Sequence, residues 1–309
     1  MTNPAMTDQP DCWPALPLDS WRDTCATLHM WTQIVGKVRL GLTPLVNHWW
    51  NVPLYVSPRG LTTSNIPYGP RSIEIYFDFL ADRLVLECSD GLVKELPLRP
   101  MTVADFYQEF KEMLRSAGVE VHIWHMPVEV PDPIPFDEDR VHAAYDAERA
   151  KSFWCILRLV EAVFYQFRSR FIGKVSPVHF FWGSFDLAVT RFSGRKAPER
   201  LGADLITREA YSHELSSVGW WPGTGTMSGP AFYSYASPEP QGFKEAHARP
   251  DAARYDKGLG EFLLAYDDVR SARSPSADLL AFCQSTYLAA ADQGKWDRQS
   301  LERDLGAGS

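Results

Sequence analysis

The spacing of apolar residues predicts four helices along the chain. Apolar side chains recur at three- and four-residue steps over residues 20–36, 102–118 and 147–171, and again after Pro275. The first two of these segments open with Ser or Thr three residues before Asp, which is the spacing of a capping box at a helix start. Glycines stand where the first three helices are expected to end.

Short runs rich in β-branched and aromatic residues fill the stretches between these helices, which is typical of strands. Pro, Gly, Asn and Asp separate the runs, and Ser89-Asp90-Gly91 has the composition of a hairpin turn. The predicted strands are residues 38–42, 48–56, 71–79, 83–87, 92–96 and 119–124 in the first half and 178–192, 210–218, 231–236 and 261–266 in the second. We expect the sheets built from them to be antiparallel.

The two halves of the chain repeat the order helix, strands, helix. IVGKV in the first half resembles FIGKV in the second, and HWW from His48 resembles HFF from His179. We therefore predict an α+β protein of two pseudo-repeated halves, each an antiparallel sheet with flanking helices, packed as one compact body. The predicted halves are residues 1–126 and 147–309, and closely spaced prolines indicate that residues 127–146 connect them.

Composition narrows the range of partners. The chain has 39 acidic and 31 basic residues and a formal net charge of -8, which is the wrong sign for binding nucleic acid or an anionic membrane through a basic field. No stretch has the roughly 20 apolar residues of a membrane-spanning helix, and the five cysteines include no C-x-x-C pair. We expect a cytoplasmic protein with a small-molecule partner and neither nucleic acid nor membrane. The sequence identifies no cofactor.

Strand alternation supplies the first candidate site residues, because side chains two apart share one face of a strand. In the predicted strands, His48 shares a face with Trp50, and His179 opens a second run on an apolar face. An imidazole there is either a satisfied core group or a ligand-binding group at the rim of a pocket. The opposite face of the second run carries Trp182 and Asp186, a mixture suited to a binding site.

The run YSHE from Tyr211 places four polar side chains in one predicted strand. If His213 approaches Asp186 across the sheet, a carboxylate-oriented imidazole becomes a candidate general base. If His213 instead approaches His48 and His179, the three imidazoles become a candidate metal site. We predict the site without a metal, because imidazoles so distant in sequence carry no ligand-spacing signal.

Two further features each have two interpretations. Arg191, near the end of a predicted strand, either reaches solvent or clamps a carboxylate or phosphate with its guanidinium group. The run GWWPGTG at residues 219–225 is glycine-rich, but its proline and tryptophans indicate an aromatic loop, a candidate lid or partner surface. The chain contains no G-x-S-x-G elbow, phosphate-binding loop or dinucleotide fingerprint.

Several long motifs resemble those of an uncharacterised bacterial family, a domain of unknown function. The motifs are WPALP at residues 13–17 with Trp21, NHWWNVPLYV at 47–56, MPVEVPDPIPF at 126–136, HFFWGSFDLAVTRFSGR at 179–195 and YSHE at 211–214. The likeness spans nearly the whole chain and implies a bacterial protein. It implies no reaction, cofactor or catalytic residue.

From the residues we predict a small-molecule site between the two halves, with acid–base or hydrolytic chemistry if the protein is an enzyme. The predicted catalytic residues are His213 as the base, Asp186 and His179. The predicted substrate-binding residues are His48, Trp50, Trp182, Arg191 and Tyr211. The alternative is a non-catalytic binding or interaction protein that uses exposed aromatic loops around Trp220.

Overall fold

The computed structural model describes residues 13–223 and 229–303. Within these ranges the chain forms seven α-helices, twelve strands and a short 3-10 turn at Asn47–Trp49. The helices are α1 (Leu18–Leu42), α2 (Val103–Ser116), α3 (Ala147–Ser169), α4 (Leu205–Ala210), α5 (Tyr266–Arg270), α6 (Pro275–Gln293) and α7 (Arg298–Leu301). None of the helices in these ranges is both long and apolar enough to cross a membrane.

The strands of the described chain form two six-stranded antiparallel sheets, one in each half. The first sheet contains β1 (Tyr55–Val56), β2 (Gly60–Thr62), β3 (Ile66–Tyr68), β4 (Arg71–Asp78), β5 (Arg83–Cys88) and β6 (Val93–Pro97), in the order β1-β2-β4-β5-β6 with β3 also paired to β4. The second contains β7 (His179–Phe181), β8 (Asp186–Lys196), β9 (His213–Trp221), β10 (Ala231–Ser237), β11 (Arg254–Asp256) and β12 (Glu261–Ala265), in the order β11-β12-β10-β9-β8-β7. The predicted α+β class with an antiparallel sheet in each half is confirmed.

One hydrophobic core joins the two halves. Trp21 in α1 stacks on Phe153 in α3 with ring centroids 5.1 Å apart, and Phe153 stacks on Phe185 at 5.3 Å. Farther along α1, Trp31 stacks on Phe106 in α2 at 4.7 Å. Because large apolar rings contribute much of the burial free energy, α1 contributes to holding the two halves together.

Polar side chains at the helix starts explain where α2 and α3 begin. The Oγ1 atom of Thr102 accepts a hydrogen bond from the Asp105 amide at 3.1 Å, in agreement with the predicted capping spacing. Asp146 acts in the same way for α3, accepting from the amides of Glu148 and Arg149 at 2.9 and 3.1 Å. Both helices therefore begin where a side chain satisfies amides that the helix leaves unpaired.

The first helix continues through Gly36 to Leu42, so the predicted end at Gly36 and the strand predicted at residues 38–42 are wrong. The glycine is required by packing, because a Cβ at this position would lie 2.3 Å from Cδ1 of Trp182. Gly36 thus permits a close approach between α1 and the second half and does not terminate the helix.

The strand predicted at residues 48–56 is also wrong. His48 and Trp49 have φ angles of 58° and 60° within the 3-10 turn, and only Tyr55–Val56 pairs as a strand. Residues 119–124, another predicted strand, are irregular. Because left-handed backbone interrupts the two-residue alternation of a strand, the faces assigned by counting from His48 do not hold.

Two strands of the second half have different bounds from those predicted. Residues 178–192 form a hairpin, in which β7 and β8 are joined by a turn where Phe185 has a φ of 59°. The predicted strand at 210–218 begins later, at His213, and Tyr211 follows the end of α4. The predicted face alternation therefore breaks between His179 and Asp186.

Candidate functional site

The two halves meet where Leu54 of the first half pairs with Phe180 of β7. These residues form an antiparallel bridge and exchange both backbone hydrogen bonds, each at 2.9 Å. The first half thereby extends the edge of the second sheet. We call this junction the seam, and several of the predicted site residues lie beside it.

His48 is buried at the seam with both ring nitrogens in hydrogen bonds. Its Nδ1 is 3.2 Å from the carbonyl oxygen of Ala210, and its Nε2 is 2.6 Å from Nζ of Lys174. Because a carbonyl only accepts, Nδ1 carries the proton and Nε2 accepts from the lysine ammonium group. Burial lowers the pKa of His48, and the positive charge of Lys174 lowers it further, so the neutral ring is favoured.

His213, at the start of β9, is the partly exposed imidazole of this region. Its ring lies edge-on to His48 with centroids 5.6 Å apart, and its Nδ1 is 3.0 Å from Oγ of Ser212. Burial lowers the pKa of His213, and the charges of Lys174 and Lys196 lower it further. A neutral imidazole within reach of solvent is the form that a general base requires.

The indole of Trp50 lies between His48 and His179. Its centroid is 5.3 Å from that of His48 and 5.8 Å from that of His179. The ammonium group of Lys174 lies over the rings of Trp50 and Phe192, at 5.4 and 5.0 Å from their centroids. Two aromatic faces and one imidazole therefore hold this lysine, a cation–π arrangement.

His179 lies deeper, with 1% of its surface exposed. Neither of its ring nitrogens has a hydrogen-bond partner among the described residues, nor does Nε of Arg39 in α1 or of Arg168 in α3. Burial lowers the pKa of His179 to about 3, and the charges of Arg39 and Arg168 add to the shift. A neutral ring with one donor and one acceptor thus lies in the field of two guanidinium groups.

Tyr55 in β1 connects Arg39 to this imidazole. The guanidinium carbon of Arg39 is 5.4 Å from the tyrosine ring, whose centroid is 5.7 Å from that of His179. Three basic residues, three histidines and one tryptophan lie around the seam, and we call them the seam cluster: Arg39, His48, Trp50, Arg168, Lys174, His179 and His213. Its three basic side chains are positively charged in a chain with a net charge of -8, and one carboxylate, that of Glu209, accepts from the His48 amide at 3.2 Å.

The alternative of a metal bound by three imidazoles receives no support from the geometry. In the part of the chain that the structure describes, no three His, Cys, Asp or Glu side chains are arranged to hold a metal ion. His48 already accepts a hydrogen bond from Lys174 at Nε2, and Trp50 lies between His48 and His179. The three imidazoles therefore share a region without sharing a coordination centre.

Asp186 lies at the opposite end of β8 from His213. Asp186 is the first residue of this 11-residue strand, and His213 pairs with its last residue, Lys196, so the two are separated by roughly 33 Å along the strand. Asp186 accepts hydrogen bonds from Ser184 and Tyr233 instead, and burial raises its pKa to about 6. The prediction that Asp186 orients His213 is wrong.

Arg191 is fully buried in the core, with 0% of its surface exposed. Its guanidinium carbon is 3.5 Å from the ring centroid of Phe167 and 4.2 Å from that of Tyr287, and it donates to the carbonyl of Phe167. Aromatic rings of α3 and α6 therefore enclose this cation. The prediction that Arg191 clamps a ligand anion at the site is wrong.

Trp182 and Tyr211 contact neighbouring elements and not the imidazoles of the seam cluster. The indole nitrogen of Trp182 donates to the carbonyl of Val52 at 2.8 Å, and the ring packs on α1 at its glycine. The hydroxyl of Tyr211 is 3.1 Å from that of Tyr235, and the guanidinium carbon of Arg200 lies 3.9 Å from its ring. Both residues lie beside the seam, and their binding roles stay predictions.

The aromatic loop predicted at residues 219–225 is partly strand. Residues 219–221 belong to β9, and Trp220 is fully buried with its ring 6.0 Å from Phe153 and from Tyr266. Thr224 and Gly225 lie outside the described residues. The prediction of an exposed aromatic partner surface at Trp220 is therefore wrong.

Sequence reasoning missed three basic residues of the seam cluster. Arg39 and Arg168 lie in helices, where an isolated basic residue is typical of a solvated face. Lys174 carried a weak signal, since GKV occurs at the corresponding place in both halves. A positive charge enclosed by aromatic rings depends on contacts between the halves, which one sequence does not display.

Comparison with known proteins adds a family and no activity. No curated protein and no solved structure matches the chain. A family model matches residues 13–303, nearly the whole chain, and its description is a family of unknown function. The chain therefore belongs to the family of unknown function DUF5996.

Proposed function

We propose that the protein binds a small molecule carrying a carboxylate or phosphate group at the seam cluster, between its two halves. The observation that carries the proposal is the buried ring of His179, whose nitrogens are unpartnered beside Arg39 and Arg168. A buried polar group without a hydrogen bond costs about 1–3 kcal/mol. An oxyanion that accepts from these donors would offset that cost.

The electrostatics of the cluster support an anionic ligand. Lys174 adds a third cation, against His48 and Trp50, and burial lowers its pKa. An anion near these groups would favour their charged forms, and planar guanidinium groups suit the two oxygens of a carboxylate or phosphate. Binding is expected to raise the pKa of the imidazoles at the seam.

The aromatic side chains favour a ligand that also has an apolar or planar part. Trp50 and Tyr55 each lie edge-on to His179, and both are partly exposed. Sites for small molecules are commonly mostly apolar with a few placed polar groups. The proposed ligand is therefore an oxyanion attached to a small apolar or aromatic body.

In the catalytic form of the proposal, His213 is the general base. It is partly exposed, and burial and two lysines lower its pKa, so the proton-accepting form predominates near neutral pH. His48 and Lys174 would orient the bound anion beside it. Hydrolysis or another proton-transfer reaction fits these groups, and binding is the part that can be tested first.

Isothermal titration with inorganic phosphate, malonate and benzoate, at an ionic strength fixed with NaCl, tests the proposal. We expect at least one anion to bind saturably, and we expect Arg168→Gln and His179→Phe to weaken binding at least about tenfold, the loss of one charge-assisted hydrogen bond. His247→Ala is the matched control, because that imidazole is 73% exposed and pairs with Asp251.

Saturable binding that is the same in all four proteins would contradict the proposal. So would the absence of saturable heat for all three anions at millimolar concentration. Fixing the ionic strength matters because surface charges respond to salt whether or not a site exists.

We also propose that the protein acts in the cytoplasm. Four of its five cysteines lie in the described ranges, and all four are free thiols. Burial raises the pKa of Cys25 and Cys283, which keeps these thiols protonated. Unpaired cysteines are typical of reducing compartments.

A further inference from the structure

A cavity of about 200 Å³ lies between α1 and the proline-rich connector. Its walls include apolar side chains of both elements, among them Leu18, Met30, Val130 and Ile134. None of its lining residues belongs to the seam cluster. The cavity is therefore a second concave site, separate from the one proposed above.

One wall of this cavity carries a histidine whose tautomer is fixed by a carboxylate. The Nδ1 atom of His142 is 2.7 Å from Oδ2 of Asp139, and the other carboxylate oxygen accepts from the amides of Val141 and His142, both at 3.0 Å. The side chain of Asp139 is 1% exposed. Since the carboxylate accepts, the proton of the neutral ring is on Nδ1, and Nε2 is then the acceptor.

The opposite wall is held by a second buried histidine. His29 in α1 also lines the cavity, and its Nε2 is 2.8 Å from the carbonyl oxygen of Gly183. The side-chain amide of Gln33 bonds to both backbone groups of Val128, donating to its carbonyl at 2.8 Å and accepting from its amide at 2.9 Å. Both walls are thus fixed by buried hydrogen bonds, which preorganises the space between them.

We propose that this cavity is a binding site for a small aromatic molecule with one hydroxyl group, and that Nε2 of His142 accepts the hydrogen bond of that hydroxyl. An apolar cavity of about 150 Å³ in another protein binds benzene, so the size suits one ring with a substituent. The dyad of His142 and Asp139 supplies a fixed acceptor, which distinguishes a hydroxylated ring from a hydrocarbon of the same shape.

The arrangement has the geometry of a general base and its orienting carboxylate. The proposal itself requires only a hydrogen bond from the ligand hydroxyl to the imidazole. It does not depend on anion binding at the seam, because the two sites share no residue. The backbone carbonyl oxygens of Asp139 and His142 accept hydrogen bonds from the first two amides of α2, so the fold fixes the backbone positions of both residues.

Binding of 4-methylphenol and of toluene, followed by titration calorimetry and by NMR of the histidine ring nitrogens, tests this inference. We expect 4-methylphenol to bind more tightly than toluene and to shift the resonances of His142. His142→Phe should weaken the binding of 4-methylphenol about five- to tenfold, the effect of one hydrogen bond, and leave the affinity for toluene unchanged. Asp139→Asn should have the same effect. The side-chain NH2 of the asparagine can donate to Nδ1 of His142, which moves the ring proton to Nε2, and Nε2 then no longer accepts from the ligand hydroxyl.

His125→Phe is the matched control. His125 lies just before the connector and pairs with Asp137 at 3.1 Å, but it is not among the residues that line this cavity. Equal affinity for the two probes, or binding of 4-methylphenol that leaves the His142 resonances in place, would overturn the proposal. No binding of either probe up to its solubility would overturn it as well, and His179→Phe should not alter either affinity.

Discussion

The protonation of His179 follows from its surroundings. Burial is the largest cause of its lowered pKa, and Arg39 and Arg168 add to it. The unfolded chain binds a proton near pH 6.5, whereas the folded chain does so only near pH 3. The contribution of this residue to stability is therefore complete above pH 6.5 and is lost as the pH falls toward 3.

The variant His179→Phe should remove this pH dependence. Between pH 7.5 and pH 5, the free energy of unfolding of the wild type should fall by about 2 kcal/mol relative to the variant, since one pKa unit corresponds to about 1.4 kcal/mol. Urea denaturation at both pH values measures the difference. The neighbours Trp50, Tyr55 and Phe181 are aromatic, so phenylalanine suits the site.

The difference in free energy of unfolding between the wild type and His179→Phe isolates the effect of the histidine, whereas the pH dependence of the wild type alone does not. Burial raises the pKa of Asp186 from 3.8 to about 6. The stability that this carboxyl contributes to the fold is therefore lost as the pH rises from 3.8 to about 6, which is opposite in sign to the effect of the histidine. His247→Ala, an exposed control, should parallel the wild type. A gap between wild type and His179→Phe that is constant with pH would show that burial does not hold this ring neutral.

At the scale of elements, Gly36 permits one of the close contacts between α1 and the second half. Gly36→Ala would place a Cβ 2.3 Å from the indole of Trp182, and overpacking of this kind costs about 1–3 kcal/mol. We expect the variant to lose that much in free energy of unfolding, measured by chemical denaturation. Gly41→Ala is the control in the same helix, because its Cβ would meet a methyl group of Val121 at 3.0 Å and the carbonyl oxygen of His122 at 3.6 Å, and no indole ring.

Helix propensity alone acts in the other direction. Alanine is favoured over glycine in a helix interior by about 1 kcal/mol. Gly41 lies in the last turn of α1, where less of this preference applies, so Gly41→Ala should be neutral or slightly stabilising. Equal stabilisation by both substitutions would mean that Gly36 does not serve the contact with Trp182.

Elements with local signals were predictable from the sequence. The Thr102 cap of α2 and the turn between β5 and β6 at Ser89-Asp90-Gly91 appear where expected, and Gly91 has a φ of 91°. Each depends on residues within four positions of one another, so one segment contains the whole signal.

Elements that depend on distant contacts were not predictable. Positive φ angles at His48, Trp49 and Phe185 are rare for such residues, and nothing nearby in the sequence marks them. These angles interrupt the two-residue alternation that was used to predict which side chains share a strand face. His48, His179 and His213 nevertheless lie beside one seam, and their role in a site stays a prediction. Asp186 and Arg191 lie away from it, in hydrogen bonds and ring contacts of their own.

At the scale of the whole molecule, the halves share one core and one seam. Trp21 and Phe153 stack across them, and Leu54 pairs with Phe180. Because neither half encloses its own apolar surface, we expect one cooperative unfolding transition. Near-UV and far-UV circular dichroism should give coincident midpoints in urea, and Trp21→Ala should shift both midpoints together.

Two separate transitions, with Trp21→Ala affecting only one, would show that the halves fold independently. The control is Leu201→Ala, which removes a side chain that is 86% exposed and should leave both midpoints in place.

The bridge between Leu54 and Phe180 has a consequence for handling the protein. An uncovered strand edge is a template for pairing with other chains, and proteins commonly cover or shorten such edges. Leu54 occupies the backbone groups of Phe180 on the outer side of β7. A fragment that contains only the second half would expose this edge. Other copies of the fragment could then form the hydrogen bonds to Phe180 that Leu54 makes in the intact chain.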